Sequence, residues 1–388
     1  MSSNINRAQN VLRLGFIGGG VNSAVGQVHF GASQLDGYWR VQSGAFSHRL
    51  DVSIQTAECW GIDSGRAYAH WREFIDAEST RLDAIAVLTP TPMHAEMVAS
   101  LLKAGIPVIC EKALTCSLAE SQLLHETLNS SRGYLAVCFN YSGYPMLREL
   151  KERIRRGELG KVQQIHLEMP QEGFVRPPSI AGQSAPPQAW RLKDGDVPMV
   201  CLDLGVHLHH LAKFLIDETP VEVLADIANY SAYHGVVDYI SLLLRFSSGA
   251  KGTMMFTKTA IGSRNGMRVR VFGTNGSADW IQAEPDQMAL SFIDGSRLCI
   301  DRGSPGHILG DRRYNRMKVG HPAGFIEAFA NLYTDIANDL TNWLAHKEVK
   351  SLYVPGLIDA HESLAFFTAA KQSALEDRWV TINKLKHE

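Results

Sequence analysis

The sequence predicts an α/β protein, with an N-terminal doubly wound parallel sheet followed by an α+β domain. Three observations support this fold class. An apolar run near the start of the chain ends in Gly18, Gly19 and Gly20. From residue 12 to about 140, apolar strands alternate with helical stretches, which is typical of a parallel sheet covered on both faces. From residue 221 to about 300, short β-type runs are separated only by turns, which indicates an antiparallel sheet.

The first predicted element is the strand and glycine turn at residues 14–31. Glycines at this point let the backbone approach a pyrophosphate, which binds to amide N–H groups at the start of the following helix. Ser23 stands where the usual third glycine would be, and Gly26 takes that role if three residues are inserted. An ordinary glycine turn is the alternative. The dinucleotide site predicted here consists of Gly18, Gly20, Val21, Asn22 and Ser23.

Four more strands complete the predicted parallel sheet. They lie at 40–46, 82–88, 107–110 and 134–139, with helices at 93–104 and 118–128 between the last three. Ligands of such sheets bind beyond the carboxyl ends of the strands.

The chain changes character after a predicted helix at 145–156. Residues 170–199 are rich in Pro, Gly and Gln, which is typical of a functional loop or a lid. A helix at 200–216 and the antiparallel strands follow. Two helices, at 325–346 and 358–375, close the chain.

Length and composition set the remaining bounds. A chain of 388 residues is too long for one compact core, so we predict a dinucleotide-binding domain at 1–140 and an α+β domain at 141–388, whose last helix packs on either one. The formal net charge of −2 indicates no nucleic-acid surface. No apolar run is long enough for a membrane span or a secretion signal. The six scattered cysteines favour a reduced cytoplasm, with neither a disulfide framework nor a metal site.

Three segments place polar side chains where a ligand would bind. Thr89 and Pro90 follow the third strand, where they either contact a cofactor or cap the next helix. Lys112 ends the fourth strand, where a cation would steady charge on a substrate oxygen; a surface lysine is the alternative. Asp203 and His207 are four residues apart on a predicted helix, so that the carboxylate would orient the imidazole or share its ligand. The imidazole is the usual proton carrier near neutral pH. A helix cap and a buried histidine are the alternatives. Neighbouring His209 and His210 diverge around the helix and do not indicate a metal site.

Together these segments resemble the glucose–fructose oxidoreductase/inositol dehydrogenase/MocA (Gfo/Idh/MocA) family over nearly the whole chain. The resemblance rests on the glycine turn, Thr89-Pro90 with His94, Glu111-Lys112, Asn140-Tyr141 with Pro145, Trp190-Arg191, and Asp203 with His207.

The resemblance implies an N-terminal Rossmann domain that binds a nicotinamide dinucleotide. It also implies a C-terminal domain, built on a large and mostly antiparallel sheet, that binds substrate and forms a homo-oligomer (a dimer or a tetramer). Lys112 would be the catalytic lysine, Asp203 a residue that orients or binds substrate, and His207 the general acid/base. The other cofactor contacts would be Thr89, Pro90, His94, Glu111 and Asn140, and the other substrate contacts Tyr141, Trp190, Arg191 and His321.

The sequence departs from the family pattern at several points. Ala113 replaces the proline of the family's Glu-Lys-Pro, and Ser142 replaces a frequent arginine. The second strand lacks the acidic residue that would bind an adenosine 2′-hydroxyl, and it continues instead into Ser47 and Arg49, which would hold a 2′-phosphate. We therefore favour NADP, with NAD as the alternative and Asp51 as a second candidate for the ribose.

These features predict hydride transfer between a nicotinamide and a secondary alcohol of a sugar, a polyol or a related carbohydrate. Two alternatives stay open: an NAD-dependent glycoside hydrolase of the same family, and a non-catalytic dinucleotide-binding protein. The identity of the substrate is not predicted.

Overall fold

The structure, a computed structural model, describes residues 11–176, 187–348 and 351–383. Its first part is a five-stranded sheet in the order β2-β1-β3-β4-β5, in which every pair is parallel. The strands are Leu12–Gly18 (β1), Trp39–Ala45 (β2), Ala84–Leu88 (β3), Val108–Glu111 (β4) and Leu135–Cys138 (β5). The predicted parallel sheet is confirmed.

Five helices connect these strands. They are Ala24–Gln34 (α1), Leu50–Cys59 (α2), Trp71–Glu78 (α3), His94–Lys103 (α4) and Leu118–Ser131 (α5). The hydroxyl groups of Ser23 and Ser117 cap α1 and α5 by accepting the amides of Gly26 and Glu120. Helices α2 and α3, which lie between β2 and β3, were not predicted from the sequence.

The second part is a nine-stranded sheet in the order β13-β12-β11-β10-β6-β9-β8-β7-β14. Its pairs are antiparallel except β6–β9, which is parallel. The strands are Val162–Pro170 (β6), Glu222–Ala228 (β7), Tyr239–Arg245 (β8), Lys251–Thr257 (β9), Arg268–Gly273 (β10), Gly276–Ile281 (β11), Gln287–Phe292 (β12), Arg297–Asp301 (β13) and Val380–Thr381 (β14). The predicted, mostly antiparallel sheet is confirmed.

Helices cover one face of this sheet and join it to the first. Pro145–Arg155 (α6), Val206–Ile216 (α7) and Leu357–Glu376 (α9) pack on the inner face. That face buries Ile240, Leu242 and Leu244 of β8, whereas Leu243 between them is 47% exposed on the other side. In the ranges that the structure describes, no helix is both long and apolar enough to cross a membrane.

The long helix Phe325–His346 (α8) links the two parts of the molecule. It packs beside α1, and Tyr333, Ile336 and Leu340 share a buried apolar cluster with Phe16 of the parallel sheet. The indole of Trp39 donates to the carbonyl of Tyr333 (2.9 Å). The parallel sheet is thus covered by α8, and the last helix, α9, packs on both parts of the molecule, through α5 and β5 of the first and β7 of the second. The division of the chain at residue 140 stays a prediction.

The glycine turn generates a stability prediction. A methyl group on Gly26 would lie 1.8 Å from the carbonyl oxygen of Gly19, whereas one on Gly31 of the same helix would have no atom within 4 Å. We expect Gly26→Ala to lower the free energy of unfolding by about 3 kcal/mol or more, because backbone must move. Gly31→Ala, the matched control, should leave it unchanged or raise it by about 0.4–1 kcal/mol. Urea unfolding of both variants checks this, and equal stabilities would contradict it.

Candidate active site

A cleft of about 1040 Å³ opens where the carboxyl ends of the parallel strands face the second sheet. Its walls come from the glycine turn, from the segments after β2, β3 and β4, and from the second part of the chain. The end of β6 and the loop segments 171–174 and 187–191 contribute to its rim, through residues such as Gln171 and Gln188. The predicted loop thus borders the cleft at both of its described ends, while residues 177–186 lie outside the described part.

The glycine turn forms one end of the cleft. Gly18 and Gly19 have φ of +81° and +73°, values that side-chain-bearing residues rarely adopt. Gly26 packs directly on Gly19, and so it serves as the third glycine after the three-residue insertion. The prediction that Val21 contacts the cofactor is wrong. Its amide donates to Thr56 Oγ1 (3.1 Å), and the residue does not line the cleft.

Ser47 and Arg49 line the cleft just beyond β2. The guanidinium of Arg49 pairs with both carboxylate oxygens of Asp51, and both side chains are more than 60% exposed. This ion pair raises the pKa of Arg49 and lowers that of Asp51. Exposed pairs of this kind are weak, so Arg49 can exchange its partner.

The segment after β3 is held by a buried histidine. Thr89 and Pro90 line the cleft, but His94 does not. Its ring nitrogens lie 2.7 Å from the carbonyl oxygen of Thr89 and 2.8 Å from that of Ala113. Burial lowers its pKa. His94 therefore joins the segments after β3 and β4, which is a different position from the predicted cofactor contact.

Glu111 belongs to a buried hydrogen-bond network at the floor of the cleft, which it lines. One carboxylate oxygen accepts the Nε2–H of His29 (2.8 Å), and the other accepts the amide of Lys112 (3.1 Å). Because a carboxylate only accepts, Nε2 of His29 carries a proton, and Nδ1 lies 2.7 Å from the hydroxyl oxygen of Tyr333. Cys138 lies close enough to His29 and Glu111 that the three side chains together have the spacing of metal ligands. Both nitrogens of His29 are already hydrogen bonded, however, and the pKa of the Cys138 thiol is raised by burial.

The centre of the cleft is the carboxylate of Asp203, which contacts three cations. Lys112 Nζ donates to the backbone carbonyl oxygen of Asp203 (2.6 Å) and lies 3.4 Å from the carboxylate oxygen Oδ1. Arg191 reaches Oδ1 and Lys258 reaches Oδ2, both at 2.6 Å. Burial alone would raise the pKa of Asp203, but Lys258, Lys112 and Arg191 more than offset it, and the pKa lies well below its usual range. Asp203 is thus ionised across the neutral range.

A π-helical turn, Cys201–Gly205, places Asp203. The predicted helix at 200–216 is regular only from Val206 onward. The expectation that Asp203 orients His207 through a hydrogen bond is wrong: the carboxylate bonds to cations, and Nδ1 of His207 is buried without a hydrogen-bond partner among the described residues. The helix-cap alternative for Asp203 is also wrong, because the residue lies inside this turn.

His207 lies against aromatic rings at the wall of the cleft. Its ring meets that of Tyr141 edge-on, with centroids 4.6 Å apart. Burial lowers its pKa well below 6.5, and the charge of Lys112 adds to the effect. His209 bonds to Ser363 and His210 stacks on Phe139, so the three histidines point to different surroundings.

The remaining predicted residues divide into two groups. Asn140, Tyr141, Trp190 and Arg191 line the cleft, and the buried amide nitrogen of Asn140 has no partner among the described residues. His321 lies outside the cleft: it is exposed, and Nδ1 lies 3.1 Å from the carbonyl oxygen of Lys318. The predicted substrate contact of His321 is therefore not brought to the site.

Lys258 and Gln171 also line the cleft, although the sequence did not predict them as site residues. Lys258 follows β9 and donates to Gln171 Oε1 (2.7 Å) as well as to Asp203. The signal was present, because a lysine directly after an apolar strand is the pattern that identified Lys112.

Comparison with known proteins agrees with this architecture. Residues 12–139 match the family described as oxidoreductase family, NAD-binding Rossmann fold, and residues 147–279 match the GFO/IDH/MocA C-terminal domain.

Two curated relatives and one solved structure illustrate the likeness. The uncharacterized oxidoreductase YfiI of Bacillus subtilis is 26% identical, over 94% of each chain. Levoglucosan dehydrogenase of Pseudarthrobacter phenanthrenivorans is 22% identical, over 96% of this chain and 99% of the relative. The inositol dehydrogenase homolog of Azotobacter vinelandii, solved with NAD+, superposes with a TM-score of 0.86, covers 95% of this chain and 97% of its own, and is 24% identical. That structural likeness establishes the fold.

Proposed function

The chain belongs to the Gfo/Idh/MocA oxidoreductase family, and from this premise we propose that it is an NAD(P)-dependent dehydrogenase or reductase acting on a secondary alcohol. The proposed substrate is a sugar, a polyol or a related carbohydrate. Curated relatives carry the names inositol 2-dehydrogenase and levoglucosan dehydrogenase. The observation that carries the proposal is the convergence of Lys112 and His207, from the two parts of the chain, on one cleft with the glycine turn.

The residues of the cleft suit a nicotinamide dinucleotide. Gly18, Gly19 and Gly26 pack so closely that a side chain at any of them would meet neighbouring protein atoms, so the tight turn requires glycine at these positions. Gly20 and Val21 donate their amides inside the protein, so the pyrophosphate would bind at Asn22 and Ser23, where α1 begins. The rest of the cofactor would contact Thr89, Pro90 and the unpartnered side-chain amide of Asn140. When bound, the cofactor supplies the acceptor for the hydride that leaves the alcohol carbon.

Lys112 and His207 divide the work on the alcohol oxygen. The neutral imidazole accepts the hydroxyl proton at Nε2, with its own proton on Nδ1. Lys112 Nζ donates to the same oxygen and stabilises the negative charge that develops there. Asp203 holds Lys112 in this position through its carbonyl and carboxylate oxygens.

Substitution of the two groups tests these roles. We expect Lys112→Met and His207→Asn each to lower kcat by about 10²–10⁴, since a positioned acid/base contributes that much, while dinucleotide affinity changes little. Lys103→Met, which removes an exposed lysine at the end of α4, is the control. Steady-state rates and dinucleotide titration measure both effects, and full turnover in either site variant would exclude its role.

The pKa shifts predict the pH profile of kcat/KM for alcohol oxidation. His207 must be neutral, and its lowered pKa keeps it so down to well below pH 6.5. Lys112 must be protonated, and burial, only partly offset by Asp203 and Glu111, lowers its pKa below 10.5. Activity should therefore fall only in acid below pH 6.5, stay flat at neutral pH, and decline in alkali before pH 10.5. Lys112→Arg should remove the alkaline decline, because arginine stays charged; an acid limb centred above pH 6.5 would contradict the assignment.

We further propose that the enzyme prefers NADP. No acidic residue stands at residues 45–50, and Ser47 and Arg49 line the cleft there. Arg49→Ala should lower the ratio of kcat/KM for NADP to that for NAD by about tenfold, because a charge-assisted contact to the 2′-phosphate is lost. Asp51→Asn should raise the ratio by freeing Arg49. A strong NAD preference that Arg49→Ala leaves unchanged would remove the argument.

The outer face of the nine-stranded sheet supports a homo-oligomer, which we propose to be a dimer or a tetramer. Leu243 is half exposed there, with Leu224 and Met255 on neighbouring strands, and such patches typically mark contact surfaces. Light scattering should give a mass of two or four chains, and Leu243→Asp should reduce it. A monomer mass in the unmodified protein would contradict the proposal.

We also propose a cytoplasmic location, since all six cysteines are unpaired.

A further inference from the structure

The substrate end of the cleft carries an excess of positive charge. Among the described residues that line this end, the cations are Lys112, Arg191 and Lys258, and the carboxylates are Asp203 and Glu111. The formal sum is one positive charge. Residues 177–186, outside the described part, include no charged residue in the sequence and do not alter the sum.

The hydrogen-bond capacity of this end is equally one-sided. Asp203 Oδ1 accepts from Arg191 and Oδ2 from Lys258. The two oxygens of Glu111 accept from His29 and from the amide of Lys112. Each carboxylate oxygen thus already accepts from a protein donor, and fewer lone pairs than free N–H groups remain for a substrate. A neutral sugar, whose hydroxyl groups must also donate, would find donors in excess and few acceptors.

Arg191 and Lys258 have donors to spare. The guanidinium of Arg191 stacks on the ring of Trp190 (4.4 Å) and its side chain is 32% exposed. One of its five N–H groups serves Asp203. Lys258 uses two of its three N–H groups, on Asp203 and Gln171. A planar guanidinium with a free edge suits a carboxylate, which it binds through two parallel hydrogen bonds.

We infer that the substrate is a polyhydroxy acid, such as a uronic or an aldonic acid. Its carboxylate binds Arg191 and Lys258, and its reacting hydroxyl lies between Lys112 and His207. This inference rests on the proposed function and narrows its substrate class. A monoanion balances the single excess charge, whereas a sugar phosphate would bring two charges, so the carboxylate is the favoured anion.

The test compares acids with neutral partners of matched stereochemistry. The pairs are D-glucuronate with D-glucose, D-galacturonate with D-galactose, D-gluconate with D-glucitol, and D-mannonate with D-mannitol, with D-glucose 6-phosphate as a further arm. Formation of reduced nicotinamide gives kcat/KM, and calorimetric titration of the dinucleotide-loaded enzyme gives affinity. We expect at least one acid to exceed its neutral partner tenfold or more in both measurements.

Variants connect this preference to the proposed contact. Arg191→Gln should bring the acid-to-neutral ratio close to one. Arg155→Gln, which removes an exposed arginine of α6 that pairs with Glu152, should leave the ratio unchanged. A ratio that survives in Arg191→Gln would overturn the assigned contact.

The outcomes separate this inference from the proposed function. Turnover that favours neutral compounds, or the phosphate, would overturn the carboxylate and leave the oxidoreductase standing. Absence of turnover on every compound would count against the proposed function for these substrates. Calorimetry then decides the inference alone: tighter binding of an acid, lost in Arg191→Gln, supports it, and equal binding of acid and neutral partner overturns it.

Discussion

The site depends on one buried carboxylate, that of Asp203, and on the three cations that surround it. Lys112 comes from the loop after β4, Lys258 from the end of β9, and Arg191 from the loop that borders the cleft. Without the carboxylate, three positive groups would share a half-buried space and repel one another. Removing one partner from such a buried arrangement typically costs about 3–5 kcal/mol, because the remaining charge is left without compensation. Asp203 thus brings the two sheets into one functional unit.

A second network supports the same position from below. The chain of hydrogen bonds from Tyr333 through His29 to Glu111 ends on the amide of Lys112. Its members come from α8, α1 and β4, so the lysine is fixed both by the helix that begins at the glycine turn and by a helix from the far end of the sequence. Fully satisfied buried networks of this kind specify a single arrangement of the backbone.

Local sequence patterns predicted most of the fold, because each depends on neighbouring residues. The apolar runs of β3 and β4 and the turn at Gly18 have this character, and so does Lys112 at the end of its strand. The relation of Asp203 to His207 was not predictable from spacing, since the cations that bind the Asp203 carboxylate, Arg191 and Lys258, come from other parts of the chain. The placement of His321 and the pairing of Lys258 with Asp203 depend on which distant loops come together, and a single sequence does not encode that in a readable form. Helices α2 and α3 were not predicted for another reason. Helix α2 in particular mixes polar and apolar residues, and its packing on the parallel sheet determines its helical conformation.

The cover that α8 provides has a consequence for biosynthesis. The parallel sheet is complete once β5 has been made, yet the helix that shields Phe16 and its neighbours follows roughly 190 residues later. At about 5–20 residues per second on the ribosome, this apolar surface waits roughly 10–40 s for its cover. The nascent chain is therefore most exposed to aggregation, and most in need of a chaperone, while its second half is being translated.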